Sequence, residues 1–212
     1  MSEQVLCVPQ DAFESLLKSF GAPVPGNTTV YVHGVTPERW RDFSVPYSFV
    51  GRDECETDDG RKQMIPYVVI RHAGKYLAYS RTGQSGEKRL VGRRSIGIGG
   101  HINPSDVPDG GAPLSAVLRL CAAREVREEL GADVPQDAFQ FRGIIYSALD
   151  DVSRKHFGIV MLADLDPGAI RQPENTLTTL EWRTPFELHR ARRDFETWSS
   201  FLILGLFRQK GL

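Results

Sequence analysis

A chain of 212 residues, 41% of them apolar and 25% charged, is long and apolar enough to bury a full core and has the balance of an ordinary globular protein. Its formal net charge of −1 argues against a nucleic-acid polymer held by bulk charge, so any affinity for phosphate must be local. The three cysteines, Cys7, Cys55 and Cys121, show no C-x-x-C spacing and leave an odd one over, so we expect buried free thiols with neither a zinc site nor a disulfide framework.

The N-terminal residues lack a basic segment followed by an apolar run, and Phe201 to Phe207 is far too short to cross a bilayer. The expectation is a cytoplasmic protein without a membrane partner. Phe13, Leu16, Leu17 and Phe20 recur at helical spacing and predict an amphipathic helix over residues 9–20, ended by the Gly/Pro-rich GAPVPGN. Thr29 to Val32 suggests a strand, and ECETDDG reads as a polar loop. Tyr67–Arg71 and Tyr76–Arg81 form a predicted hairpin about Gly74. A basic loop, TGQSGEKRLVGRR, leads to a Gly-rich strand, Ser95 to Ile102, and then to the turn-rich NPSDVPDGG.

A helix is predicted from about Pro113 to Leu130, stopping at Gly131, with Leu114, Leu118, Ala122, Val126 and Leu130 as its buried stripe. Phe141–Leu149 and His156–Leu165 read as strands joined by DDVSRK. Trp182 to Leu188 reads as a short connection, and Asp194 to Arg208 as a last helix with Trp198, Phe201, Leu202 and Phe207 on its apolar side. This order predicts a mixed sheet with helices packed on it.

The informative segment is Arg124-Glu125-Val126-Arg127-Glu128-Glu129-Leu130-Gly131. Glu125 stands three residues before Glu128 and four before Glu129, spacings that crowd three carboxylates on one side of a helix. They fall in its last turns, where the helix dipole favours cations. A divalent cation among them would offset that cost, and a solvated acidic face balanced by Arg124 and Arg127 is the plainer explanation. Gly99 and Gly100, before the helix, would let a backbone carbonyl approach a metal or a phosphate closely. Hard oxygen donors in small number suit Mg²⁺.

These residues resemble the core of the Nudix box, REUxEExGU, where U is a bulky apolar residue. The full box also has a Gly fourteen residues before its Arg and a Glu six after that Gly. Gly110 holds the first place, but Ala116 stands where the acid belongs, and Ala132 is small at the last apolar position. The Gly99-Gly100 pair lies ten residues ahead of its usual place, which suggests an insertion spanning Ile102 to Gly110 and makes the match at Gly110 accidental.

The resemblance covers roughly Tyr67 to Leu188. It implies a Nudix-type α/β/α sandwich with a mixed sheet over residues 61–212, and residues 1–60 as an extension packed on it. It implies a MutT-like phosphoesterase that cuts a diphosphate linkage in a small nucleoside-diphosphate-type molecule with Mg²⁺ or Mn²⁺. Carried over, Arg124 orients a box glutamate, Glu128 and Glu129 bind metal, and Glu125 serves metal or base chemistry, with Gly100 contributing to the metal site.

Outside the box, Asp150, Asp151, Glu174 and Glu181 are candidate bases, with Glu181 preferred. Arg81, Lys88, Arg89, Arg93 and Arg94 are candidates for a phosphate clamp, and Gly99, Gly100 and His101 for substrate contacts. Tyr79, Tyr146 and Phe157 could stack on a base, though strand aromatics usually belong to the core. The vacant acid position favours a rival reading, a nucleotide-derivative sensor that does not cut. An isomerase of the same fold would need a Cys near Gly99-Gly100, where none stands. The N-terminal region and the last helix could form a homodimer surface.

Overall fold

The computed structural model describes residues 2–23, 29–33, 36–81, 93–171 and 177–208, with backbone alone at Pro37, Arg81, Phe207 and Arg208. The elements are β1 (Gln4–Pro9), α1 (Gln10–Ser19), β2 (Thr29–His33), α2 (Pro37–Arg41), β3 (Ser48–Gly51), α3 (Arg52–Thr57), β4 (Arg61–His72), β5 (Lys75–Arg81), β6 (Arg94–Ser95) and β7 (Gly97–Ile98). They continue with α4 (Leu114–Leu130), β8 (Gln140–Ser147), α5 (Asp151–Lys155), β9 (His156–Asp164), β10 (Leu177–Arg183), α6 (Pro185–Arg190) and α7 (Thr197–Arg208).

The strands form one mixed sheet with the order β10-β5-β4-β9-β8-β2; β1 pairs with β3 and β4, β6 with β5, and β7 with β4. The central β4·β9 pair is parallel, Gln63 opposite His156 through Arg71 opposite Asp164, and its neighbours are antiparallel. Both faces of β4 are covered. Met64, Val68 and Ile70 pack into a core with α1 and α4, while Ile65, Tyr67 and Val69 pack into a second core with α6 and α7. That alternation is the period of two along a strand, and it makes the molecule a sheet between two helical layers.

The predicted stripe of α4 is buried as expected, from Leu114 to Leu130, and Gly131 closes the helix in the left-handed region at φ 63°. The Gly-rich stretch is not one strand. It bends at Ile96, because β6 lies beside β5 and β7 crosses to β4. Gly97 has to be glycine: a Cβ there would run into the Tyr67 ring.

Three expectations need correction. ECETDDG is not simply a loop, since α3 runs through its first half. Trp182 to Leu188 is not a short connection: Trp182 and Arg183 end a strand, β10, whose alternation is broken by a bulge between Thr178 and Glu181 with Thr179 at φ 54°, and Pro185 to Leu188 belong to α6. Cys7 and Cys55 are not free thiols but a disulfide. They lie 48 residues apart, and the pairing of β1 with β3, which α3 directly follows, brings them together. Cys121 is free and buried. Among the described residues no helix is long and apolar enough to cross a membrane.

Candidate active site

Arg124 is the hub of the box. Its Nε and Nη2 donate to the two oxygens of Asp106 at 2.8 and 2.9 Å, Nη1 donates to Glu125 at 2.6 Å and to Glu128 at 3.0 Å, and Nη2 also reaches the His101 carbonyl at 2.9 Å. The fork against Asp106 is bidentate, the geometry in which a guanidinium is most strongly and specifically held. The Asp106 side chain is 4% exposed and that of Arg124 26%, so this pair is screened far less than a surface one. The Arg124 pKa is driven upward, first by the Asp106 hydrogen bonds.

Asp106 supplies the acid that Ala116 lacks. It ends a short 3-10 turn, Pro104–Asp106, in which Oδ2 also accepts from the Asn103 N–H at 2.8 Å. It lies six residues after Gly100, the spacing of the glycine and first acid of the box, but eighteen rather than eight residues before Arg124. The extra residues loop out: 108–111 are exposed, and Gly110 and Gly111 turn the chain at φ 86° and 81°. Ala116 belongs to the first turn of α4 and Gly110 to the loop tip, so neither holds the box position that counting back from Arg124 assigns. Counting forward from Gly100 would have found Asp106.

Glu125 points at the glycine turn. A Cβ on Gly100 would collide with its carboxylate, so only glycine leaves room for both. The Glu125 side chain is 12% exposed, and burial pushes its pKa up, with Arg124 opposing. Glu128 is 49% exposed on the same Arg124 nitrogen, whereas Glu129 is buried. Among the described residues no three His, Cys, Asp or Glu side chains converge into a ready metal cage. The donor set still fits a hard divalent cation in kind, because Mg²⁺ commonly takes one or two carboxylates and completes its shell with water and substrate phosphate. Two carboxylates meeting on one guanidinium nitrogen, with one of them against a glycine backbone, meet that need.

The other candidates fall elsewhere. Glu181 lies opposite Ala78 on the α7 face of the sheet, away from α4, paired with Arg183 and, at 2.7 Å, with Arg94; the two arginines hold its pKa below the ordinary range. Arg94 also stacks on Phe195, and the exposed Arg93 bonds the Arg193 carbonyl at 3.4 Å. Lys88, Arg89 and Glu174 lie outside the described residues, as does the Arg81 side chain. Asp150 caps α5 through the Ser153 N–H at 2.7 Å, and Asp151 is exposed. Tyr79, Tyr146 and Phe157 are core residues.

His101 keeps its ring 3.4 Å from that of His156, and burial pushes its pKa down to about 3. Gly99, Gly100 and His101 also line a cavity of about 150 Å³ that reaches α5 and the start of α7. No sequence motif announced that cavity.

No family model matches the chain. Protein YmaB of Bacillus subtilis strain 168 is 30% identical over 208 residues, spanning 96% of this chain and 97% of that protein. The crystal structure of Tm1382, a candidate Nudix hydrolase, superposes with a TM-score of 0.73 at 27% identity, covering 97% of this chain and 98% of that one. A bifunctional NMN adenylyltransferase/ADP ribose pyrophosphatase of Francisella tularensis, solved with AMP and a manganese ion, shares the fold at TM-score 0.52 and 12% identity, over 71% of this chain and 42% of its own.

Proposed function

The chain belongs to the Nudix hydrolase superfamily, and on that premise we propose that it hydrolyses a diphosphate linkage in a small nucleoside-diphosphate-type molecule with Mg²⁺ or Mn²⁺ as its metal. The observation that carries this reading is the Arg124 hub, which ties Asp106, Glu125, Glu128 and the His101 carbonyl into one constellation beside Gly100. The reading as a sensor that does not cut drew on a missing box acid, and Asp106 removes that support. The manganese ion bound by the Francisella fold-mate is consistent with the metal proposed here.

Glu125 and Glu128, which meet on one Arg124 nitrogen, would hold the metal with the Gly100 carbonyl, and Glu129 would join them only after a change of rotamer; the metal when bound polarises phosphoryl oxygens and lowers the pKa of an attacking water. Arg124 keeps Glu125 and Glu128 from swinging apart. Glu125 or Glu128, whichever is not committed to the metal, would accept the water's proton. Glu181, committed to two arginines on the far face, would not.

The test is Mg²⁺-dependent release of phosphate or nucleotide from a panel of diphosphates. Glu128→Gln and Glu129→Gln should each lose about a hundredfold or more. Wild-type rates in both variants would defeat the assignment.

A further inference from the structure

The chain carries a carboxylate that the box does not use. Glu196 stands immediately before α7, its N–H bonded to the Arg94 carbonyl at 2.9 Å. Three hydroxyls donate to its side chain, Tyr67 at 2.8 Å, Ser95 at 2.6 Å and Ser199 at 3.2 Å, and all three reach the same oxygen, Oε1. The hydroxyls are packed against one another, Tyr67 Oη 2.7 Å from Ser199 Oγ, and backbone N–H groups hold two of them: Ser199 accepts from Ile96 at 3.0 Å and Ser95 from Gly97 at 3.1 Å. Tyr67, Ser95 and Ser199 are all buried. The carboxylate is therefore locked in place before any ligand arrives, and Oε2 has no hydrogen bond among the described residues.

Glu196 lines the same cavity of about 150 Å³ that Gly99 and Gly100 line. The other charged or titratable side chains there are already engaged. Asp150 serves Ser153 and Thr197, Arg52 pairs with Glu3 and Glu56, and His101 faces His156. Ile65, Val152 and Trp198 make up much of the remaining wall. The benzo edge of Trp198 lies over Gly158, where a Cβ would come within 2.9 Å of Cζ3, and its indole N–H is buried without an acceptor. A cavity of this size holds one ring. It shares Asp150, Val152, Glu196 and Thr197 with a wider groove of about 570 Å³, which gives a second fused ring somewhere to go.

We propose that Glu196 is a specificity-determining residue, and that its Oε2 accepts a hydrogen bond from a ring N–H or amino group of a nitrogen heterocycle seated in this cavity, while the diphosphate lies against Gly99 and Gly100. Apolar walls with one open acceptor suit a flat heterocycle. A sugar would bring several hydroxyls to a wall that offers, besides Oε2, only the Trp198 indole N–H without a partner among the described residues. The diphosphate half of this pose rests on the function proposed above; the ring half rests on the cavity alone.

Two measurements on the full chain test it. Calorimetry in EDTA should show guanosine and adenosine binding where ribose does not, with Glu196→Gln weakening both nucleosides about tenfold or more. With Mg²⁺, the ratio of kcat/KM for GDP over inorganic pyrophosphate should fall by about the same factor in Glu196→Gln. Val152→Phe, which narrows the cavity without touching the hydroxyl network, should lower the same ratio and serves if Glu196→Gln does not fold.

A fall of both substrates in step would show a merely structural carboxylate and overturn the proposal, as would nucleosides that fail to bind the wild-type chain. Nucleoside binding that depends on Glu196, with no diphosphate cut by the wild type, would support this inference and sink the hydrolase reading instead.

Discussion

Asp106→Asn removes one charge from the most buried contact of Arg124 while keeping its shape. Asparagine can still accept from the Asn103 N–H and offer one oxygen to the guanidinium, but the second arm of the fork then meets an amide nitrogen. Deleting a buried charge partner outright costs about 3–5 kcal/mol. Here Arg124 keeps Glu125, Glu128 and the His101 carbonyl, and one oxygen of the mutant survives. The loss should therefore be that of one charged hydrogen bond, about 1.5–3 kcal/mol. For a domain of this size that lowers Tm by roughly 3–12 °C. Turnover should fall as well, because Arg124 is freed to rest wholly on Glu125 and Glu128.

The decisive control is Asp106→Asn combined with Ala116→Glu. Ala116 sits in the first turn of α4, and an acid there should leave stability and turnover of the Asp106 variant where they were. Thermal unfolding and diphosphate turnover read both. Rescue by Ala116→Glu, or an Asp106→Asn protein as stable and active as wild type, would refute the assignment of Asp106 as the box acid.

The two glycines before the box should separate folding from chemistry. A Cβ at Gly99 meets the Pro66 carbonyl, which is backbone and cannot swing away, so Gly99→Ala should cost about 1–3 kcal/mol in urea unfolding. A Cβ at Gly100 meets only the end of the Glu125 side chain, so Gly100→Ala should stay folded and lose about a hundredfold in kcat through a displaced carboxylate. Equal stabilities of the two variants would contradict the packing described. Glu181→Gln tests the ion pairs on the far face. Its pKa is depressed in the folded chain, so its contribution is complete above the ordinary value near 4.5 and disappears as pH falls through the lower folded value. The group is partly exposed, so the difference from wild type at neutral pH should stay under about 1 kcal/mol and vanish in acid; a difference that grows on acidification would reverse the sign argued here.

Strong periodicity made parts of the fold legible in the sequence. The stripe from Leu114 to Leu130, the stop at Gly131 and the strands around Tyr67, Tyr76 and His156 follow from local pattern. What escaped was set by tertiary contacts. β1 is only six residues long and runs straight into a helix, and α3 is polar along most of its length, so the meeting of Cys7 and Cys55 depended on strand pairing that no local pattern records. The bulge at Thr179 breaks the alternation that would have marked β10. In the site, the REVREELG core gave Arg124 and its glutamates, because they lie on one helix with fixed spacing. Asp106 was hidden by a loop inserted between it and that helix, and Glu196 by its distance in sequence from the glycines it shares a cavity with.

Manganese binding, followed by electron paramagnetic resonance on the full chain without substrate, tests the centre of this account most directly. Wild-type protein should remove Mn²⁺ from the free signal saturably, and Glu125→Gln and Glu128→Gln should each weaken that uptake about tenfold or more while remaining folded. Uptake that is the same in the wild type and both variants would mean the carboxylates gathered by Arg124 hold no metal.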